Sequence, residues 1–184
     1  MSGVWETERL YLSDFGPEHA AAVRTYGLRS REYHAPWDPL RPEDFWELPA
    51  VAARLRAQTE DSHAGRALCL CLSAKDDPER VLGMANLRNI VRGALLSAHL
   101  GYSLAPDAVG HGYMTEAVRR VVTIAFNELG LHRVEANVMP RNTRSLAVVE
   151  RCGFGREGFS PRLLRINGHW EDHIRFARVN DGMG

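Results

Sequence analysis

The chain has 184 residues, of which 45% are hydrophobic and 25% charged, and its formal net charge is zero. We expect residues 1–184 to form a single domain, because this length and composition suit one globule with a hydrophobic core. The neutral charge balance excludes broad nucleic-acid binding through a general basic surplus. We also expect a cytoplasmic protein with no signal peptide and no membrane contact, since no apolar run approaches the roughly 20 residues of a membrane span.

The first third of the chain predicts one strand followed by two helices. Residues 7–12 alternate apolar and polar side chains, which is typical of a strand. Pro17 stands at the first-turn position that proline favours and opens a helix. Two prolines exclude regular helix from residues 33–39, and residues 42–58 form the second predicted helix, with acidic side chains near its start.

Apolar runs bounded by turn residues predict the rest of a sheet. An Asn-Gly pair between two strand-like runs near the end of the chain is a strong hairpin signal. The predicted strands cover residues 66–74, 81–91, 95–104, 131–139, 156–166 and 169–178.

The centre of the chain is a glycine turn that leads into an amphipathic helix. Gly110 and Gly112 stand one residue apart, after Pro106 ends an extended run. Between residues 114 and 129, apolar side chains recur at the spacing of one helix face. Glycines at a helix entry leave backbone N–H groups uncovered, and with the helix dipole these groups make an anion site, typically for phosphate. A Gly-x-Gly turn alone is more often a turn that binds nothing.

The three cysteines and eight histidines do not have the spacing of metal ligands, so we expect no metal. Cys69 and Cys71 would point to the same face of one strand. We interpret both of them, and Cys152, as reduced core residues.

A strand and a second capped helix follow the glycine turn. Pro140 ends the strand, and a short helix over residues 142–152 is closed by Gly153. The succession from residue 103 to residue 154 resembles the acyl-CoA core of the GNAT N-acetyltransferase superfamily. In that superfamily, a Gly-x-Gly turn before a helix holds the CoA pyrophosphate, and Asn-x-x-Ser before Gly-Phe lies along the pantetheine.

This resemblance implies an α+β fold, with a mixed, mostly antiparallel sheet of about seven strands flanked by four helices. It also implies that acetyl-CoA is the co-substrate and that no metal takes part. The residues assigned to acetyl-CoA by the resemblance are Leu104, Val109, Gly110, His111, Gly112, Tyr113, Met114, Thr115, Asn142 and Ser145.

Two positions depart from the family pattern. Asp107, three residues before the first glycine, stands where many GNAT enzymes have Arg or Gln. An anionic side chain there should not help to hold a pyrophosphate, so we expect Asp107 to be exposed or to cap a turn. Val149 stands where many relatives carry the tyrosine proposed as general acid, so another group or water must protonate the departing thiolate.

Motifs along nearly the whole chain, from residue 7 to about residue 177, are similar to those of the ribosomal-protein-alanine N-acetyltransferase group. They include Leu-Gly-Tyr-Ser-Leu at residues 100–104 and Asn-Gly-x-Trp-x-Asp-His at residues 167–173. The resemblance implies direct attack, in a ternary complex, by the N-terminal amine of an alanine or serine on a protein such as a ribosomal protein. A small-molecule amine or aminoacyl-nucleotide antibiotic as acceptor, a non-catalytic acyl-CoA-binding module, and homodimer formation stay open.

His99 is the first candidate for the base that removes a proton from the amine. It stands on a predicted strand where several relatives have a carboxylate, and the ordinary pKa of a histidine, near ~6.5, suits proton removal. A histidine on the outer face of the strand, or satisfied in the core, is an equally good interpretation. Glu135 and Glu157 are weaker candidates, and Glu116 better fits a residue that complements a helix dipole.

Ser145 is the candidate proton donor to the departing CoA thiolate. It lies three residues after Asn142, on the same face of the short helix. Asn142 can cap that helix through its side chain and still contact CoA.

Four side chains are candidates for contact with the acceptor amine. The small helices between the first two strands cover the acceptor side in GNAT proteins, so Tyr33 and Trp37 either line the substrate entrance or pin these helices to the sheet. Trp46, on a predicted helix, better fits the structural role. Trp170 and Asp172 alternate on one face of the last strand, where they either orient the amine or, for Asp172, secure the hairpin through an arginine.

Overall fold

Eight strands form one sheet in the computed structural model, which describes residues 3–183. The strands are β1 (Val4–Glu6), β2 (Leu10–Asp14), β3 (Leu68–Ala74), β4 (Gly83–Val91), β5 (Ser97–Leu104), β6 (Arg133–Val138), β7 (Gly155–Ile166) and β8 (His169–Val179). Their order across the sheet is β1-β2-β3-β4-β5-β6-β8-β7, and only the β5–β6 pair is parallel among them. The assignment of residues 1–184 to one domain stays a prediction, which this single sheet supports.

Four α-helices pack on the sheet: α1 (Ala20–His34), α2 (Leu48–His63), α3 (Tyr113–Thr123) and α4 (Thr143–Arg151). α3 continues into a π-helical turn, Ile124–Glu128. None of the helices within residues 3–183 is long and apolar enough to cross a membrane.

Helices α1 and α4 lie on opposite faces of the sheet. The phenol oxygen of Tyr102 on β5 is 2.7 Å from the hydroxyl oxygen of Ser145 on α4. The next residue on β5, Ser103, has its hydroxyl oxygen 2.7 Å from the phenol oxygen of Tyr26 on α1. Because consecutive strand residues point to opposite faces, the sheet has an α4 face, which α3 shares, and an α1 face.

Alternate residues of the central strands build the core. Leu12 on β2 stands in register with Leu72 on β3, and both side chains are fully buried, as is that of Leu87 on β4. The predicted apolar face of α3 is buried as well, with Val118 and Val121 fully enclosed. Burial of one such side chain stabilises the fold by about 1.5–3 kcal/mol, so the central strands and α3 hold the rest of the molecule in place.

The α+β class and the mostly antiparallel sheet are confirmed, with one strand more than the seven or so that were predicted. The additional strand, β1, has only three residues, which is too few to show a sequence period. The first strand predicted over residues 7–12 is partly wrong, since β2 begins only at Leu10. Thr7 and Arg9 form the turn between β1 and β2, where both donate hydrogen bonds to Glu116.

The two predicted helix boundaries near residue 40 also differ from the structure. Helix α1 continues through Tyr33 and His34, and even Ala35 keeps helical angles and donates its N–H to the Arg31 carbonyl at 3.0 Å. His34 stands two positions before Pro36, with Ala35 between them, so the restriction that a proline places on the residue before it does not fall on His34. The second helix begins later than predicted, at Leu48, after a short 3-10 turn.

Candidate active site

Strands β5 and β6 separate partway along their length and leave a gap in the sheet. They pair only over residues 97–99 and 133–135. Beyond that point β5 continues to Leu104 in register with β4, while β6 pairs along its length with β8. Alternate backbone N–H and C=O groups of β5 therefore face the gap, and one of them, the carbonyl oxygen of Leu104, lies 2.9 Å from Nε2 of His34.

A cleft of about 830 Å³ passes through this gap from one face of the sheet to the other. The starts of α3 and α4 line it on the α4 face. Tyr33 and His34, at the end of α1, line it on the α1 face together with Trp37. A cleft that crosses the sheet can hold one substrate on each face, with the reacting atoms inside the gap.

The glycine turn forms one end of the cleft. Gly110 has φ +92°, and Gly112, the N-cap residue of α3, has φ +80°, which is a left-handed conformation that glycine adopts without strain. No neighbouring atom lies within 4 Å of where a Cβ on Gly110 would stand. The first N–H groups of α3 are thus open to the cleft, as an anion site requires.

Glu116, in the first turn of α3, ties the glycine turn to the start of the sheet. Its carboxylate accepts hydrogen bonds from Thr7 Oγ1 at 2.6 Å, Arg9 N–H at 2.8 Å and Arg9 Nε at 2.8 Å. Burial favours the neutral acid, but these donors outweigh it and hold the pKa of Glu116 below its usual range. Arg9 also donates to the carbonyl oxygen of His111 at 2.9 Å. Glu116 is therefore engaged as a structural anion.

All the residues predicted to bind acetyl-CoA line this cleft except His111, whose side chain is exposed. The Asn142 side chain accepts the N–H of Ser145 at 3.1 Å, which makes it the N-cap of α4. Asp107 is half-exposed and paired with Arg80, turned to solvent. Val149 is fully buried in the core.

Tyr102, which is not among the residues predicted to form the site, has its hydroxyl in contact with Ser145 in the cleft. The phenol is 2.7 Å from Ser145 Oγ and 3.1 Å from the Ser145 carbonyl oxygen. Burial raises the pKa of Tyr102 to about 12, so the phenol stays protonated. One signal in the sequence could have suggested the pair of Tyr102 and Ser145. Strand alternation places the Tyr102 side chain on the face of the sheet that carries the glycine turn.

His99 lies at the closed end of the gap and does not line the cleft. Its Nε2 is 3.8 Å from a carboxylate oxygen of Glu135, the residue opposite it on β6. Its Nδ1 is buried and has no hydrogen-bond partner within residues 3–183. Glu135 and Glu157, the weaker candidates, both accept hydrogen bonds from Arg133. The role of His99 as base stays a prediction.

Two of the four predicted acceptor contacts lie in the cleft wall. The hydroxyl of Tyr33 accepts a hydrogen bond from Arg144 Nη1 at 2.6 Å, which joins α1 to α4 across the cleft. The guanidinium of Arg141 lies 4.8 Å from the centre of the Trp37 ring and donates to Glu171 on β8 at 2.8 Å. These contacts hold the α1 end of the cleft against the sheet.

Trp170 and Asp172 lie outside the cleft lining. Trp170 is 61% exposed. The Asp172 carboxylate accepts the backbone N–H of Arg162 at 2.8 Å, within a bulge where Arg162 has φ +48°. Asp172 thus secures the β7–β8 hairpin through a main-chain group, and its contact with the acceptor stays a prediction. Trp46 packs its ring on Gly27 of α1 and does not line the cleft.

The sequence and the fold both match known acetyltransferases. The GNAT acetyltransferase domain family matches residues 9–155. The chain belongs to the GNAT family. It is 40% identical over 167 residues to the Probable N-acetyltransferase YjcK of Bacillus subtilis. This alignment covers 86% of this chain and 88% of that protein. It is 33% identical over 171 residues to the ribosomal protein uS5-alanine N-acetyltransferase of Escherichia coli, covering 93% of this chain and 88% of that protein.

Solved structures of GNAT proteins superpose closely on this chain. The ribosomal-protein-S5-alanine acetyltransferase of Vibrio fischeri has a TM-score of 0.94 and 31% identity, covering 99% of both chains. Mycobacterium smegmatis RimJ, solved in complex with CoA-disulfide, has a TM-score of 0.91 and 28% identity, covering 98% of this chain and 88% of that one.

This GNAT protein is an N-acetyltransferase with acetyl-CoA as its co-substrate. The open N–H groups of the glycine turn suit the CoA pyrophosphate, and the unpaired edge of β5 suits the extended pantetheine arm. The acetyl group would then lie in the gap, beside the Tyr102–Ser145 pair. Within residues 3–183 no group of three or more His, Cys, Asp or Glu side chains is arranged to hold a metal ion.

Proposed function

We propose that this enzyme acetylates the N-terminal amine of an alanine or serine on a protein such as a ribosomal protein. The observation that supports the proposal best is the cleft that crosses the sheet, which Tyr33 and Trp37 line on the α1 face. A chain terminus can enter there and reach a thioester that is bound from the α4 face. Two relatives named for alanine acetylation of a ribosomal protein support the same choice. A ribosomal acceptor would place the enzyme in the cytoplasm.

In this proposal the amine attacks the acetyl carbon directly, in a ternary complex. A backbone N–H on the unpaired edge of β5 stabilises the negative charge that develops on the carbonyl oxygen. Ser145 protonates the departing CoA sulfur, and the phenol of Tyr102, 2.7 Å away, supports its hydroxyl. In this proposal these two groups take the role proposed for the tyrosine that many GNAT enzymes carry at the position of Val149.

A small-molecule amine is the second candidate acceptor. Asp38 in the cleft lining is a carboxylate that could attract a polyamine or an aminoglycoside. Arg141 and Arg144 line the same cleft and carry the opposite charge, which disfavours a polycation. Membership of an acetyltransferase family favours catalysis over the non-catalytic acyl-CoA-binding module.

The test is a competition for acetyl transfer among different amines. Peptides that start with alanine or serine are mixed with a lysine-containing peptide blocked at its N-terminus, with spermidine and with an aminoglycoside. We expect kcat/KM to be highest for the alanine- and serine-starting peptides. Faster turnover of spermidine or of the aminoglycoside than of any such peptide would overturn the proposed acceptor in favour of a small molecule.

A further inference from the structure

His173 on β8, the last residue of the Asn-Gly-x-Trp-x-Asp-His motif, is a buried histidine in the wall of the cleft. Its side chain is only 2% exposed. It stands opposite Ser160 of β7, close to the point where the β7–β8 register shifts. A polar ring that is buried this deeply needs partners for its two nitrogens.

The hydrogen bond of one ring nitrogen fixes the tautomer of His173. Nδ1 lies 3.0 Å from the backbone carbonyl oxygen of Glu171. A carbonyl oxygen can only accept, so Nδ1 carries the proton and donates it. In the neutral ring Nε2 therefore has a free lone pair, and the one side-chain hydrogen bond of this ring within residues 3–183 is made by Nδ1. The only open polar position of this ring is thus a proton acceptor.

The sheet register places this lone pair on the acceptor side. Through the pairing of β5 with β6 and of β6 with β8, Ile174 shares the α4 face with Tyr102. His173, the preceding residue, therefore points to the α1 face. This is the face from which the amine approaches in the proposed function.

The surroundings of His173 favour the neutral form of the ring. Burial lowers the pKa of His173, while the Glu171 carbonyl and the carboxylates of Glu171 and Asp172 raise it by a smaller amount. Both carboxylates are already engaged, Glu171 by Arg141 and Asp172 by a backbone N–H. The other ionisable or charged groups in the cleft lining are Tyr33, His34, Asp38, Tyr102, Tyr113, Arg141, Arg144 and Arg151.

We propose that His173 is a further catalytic residue, whose Nε2 takes a proton from the acceptor ammonium before the nitrogen attacks. The inference rests on the proposed function for the side from which the amine enters. One N–H bond breaks and the proton forms a bond to Nε2. The freed nitrogen lone pair bonds to the acetyl carbon, the C–S bond breaks, and the sulfur leaves with the electron pair and takes a proton from Ser145. The second proton lost by nitrogen restores Ser145, and His173 returns its proton to solvent.

The test compares His173→Asn with the same substitution at two other histidines. The asparagine amide can still donate to the Glu171 carbonyl but has no basic group in place of Nε2. His169→Asn, four residues earlier on the exposed start of β8, is the matched control. His99→Asn tests the candidate from the sequence. Each enzyme is assayed between pH 6 and 9 on the fastest amine of the acceptor panel, with acetyl-CoA affinity and Tm measured alongside.

We expect His173→Asn to lower kcat at pH 7 by ~10²-fold or more while acetyl-CoA affinity stays within about two-fold of wild type. The loss should shrink roughly ten-fold by pH 9, because an α-amine of pKa about 7.7–8.0 is then deprotonated without help. Added imidazole should partly restore kcat in His173→Ala, since it can occupy the vacated space and accept the proton. If His173 had a purely structural role, the loss of kcat would not depend on pH and imidazole would not restore it.

Three results separate the possible failures. A wild-type kcat profile in His173→Asn, or a loss that is constant with pH and not rescued by imidazole in His173→Ala, would overturn the assignment. A pH-dependent loss in His99→Asn alone would move the role of base to His99. A wild-type enzyme that acetylates only small amines contradicts the proposed acceptor, but the His173 comparison on that amine still decides the base.

Discussion

At the scale of single residues, Gly112 combines a left-handed backbone with a position at the anion end of the cleft. Gly112→Glu adds a negative charge and a side chain beside the N–H groups that receive the pyrophosphate. We expect acetyl-CoA to bind roughly 100-fold more weakly, or about 2.7 kcal/mol, by isothermal titration. Gly65→Glu is the matched control, because Gly65 has a similar φ of +67° and open surroundings but lies outside the cleft. Equal affinity in the two variants would contradict a CoA role for the turn.

The contact between Tyr102 and Ser145 predicts a coupled loss of activity. Tyr102→Phe keeps the ring packed and removes the phenol oxygen, so we expect kcat to fall roughly ten-fold. Ser145→Ala should cost more, and the double variant should cost no more than Ser145→Ala, because the two groups act on one proton. Tyr11→Phe, on β2 and outside the cleft, should behave as wild type. Additive losses in kcat would mean that the two side chains act separately.

At the scale of elements, the Glu116 carboxylate joins the β1–β2 turn to the start of α3 and contributes to stability. Its pKa is lowered in the folded state, so this contribution is present above the unfolded pKa and is lost as pH falls below about 4.5. We expect Glu116→Gln to lower the free energy of unfolding at pH 7 by about 1–3 kcal/mol. The urea-unfolding free energy of the variant should also fall less steeply with acid than that of wild type.

An exposed carboxylate provides the control for this measurement. Glu79 lies in the turn between β3 and β4, and Glu79→Gln should change neither the stability at pH 7 nor its dependence on acid. If both variants unfolded like wild type, the hydrogen bonds from Thr7 and Arg9 would contribute nothing measurable to the fold.

The sequence was sufficient to propose the acetyl-CoA half of the site, because the features that would recognise CoA are local. Gly110 and Gly112 expose the N–H groups of the helix that directly follows them, and Asn142 caps a helix only three residues from Ser145. Backbone donors at a helix start need only a short, contiguous motif. The α+β class could likewise be predicted from strand and helix periods along the chain.

The proposed acceptor half could not be predicted in the same way, because its residues come from distant elements. Arg144 and Tyr33 are 111 positions apart, and Tyr102 and Ser145 are 43 apart. The alternation of side chains along the last strand predicted acceptor contacts for Trp170 and Asp172. The structure instead places His173, the residue next to Asp172, in the cleft wall. Strand period alone does not tell which face of a two-sided sheet carries the chemistry.

At the scale of the whole molecule, direct transfer predicts that the enzyme never carries the acetyl group itself. Cys71 and Cys152 are buried, and no cysteine lines the cleft within residues 3–183. We expect initial-velocity lines that intersect when both substrates are varied. After incubation with acetyl-CoA alone, we expect no mass increase of about 42 Da, the change when an acetyl group replaces a hydrogen atom. Parallel lines, or a protein acetylated at a cleft residue, would instead indicate a covalent intermediate.

A cleft that crosses the sheet would give its two reactants separate mouths. In the proposed arrangement, CoA comes and goes by one mouth, and the acceptor chain by the other, so neither blocks the exit of its partner. Only a tail needs to be threaded, because each extended residue reaches about 3.3–3.6 Å into the gap. The bulk of the acceptor stays outside. A folded protein with a few free residues at its N-terminus can therefore be modified without unfolding. In the same arrangement, one acceptor chain can stay bound on the α1 face while CoA is exchanged for acetyl-CoA on the α4 face.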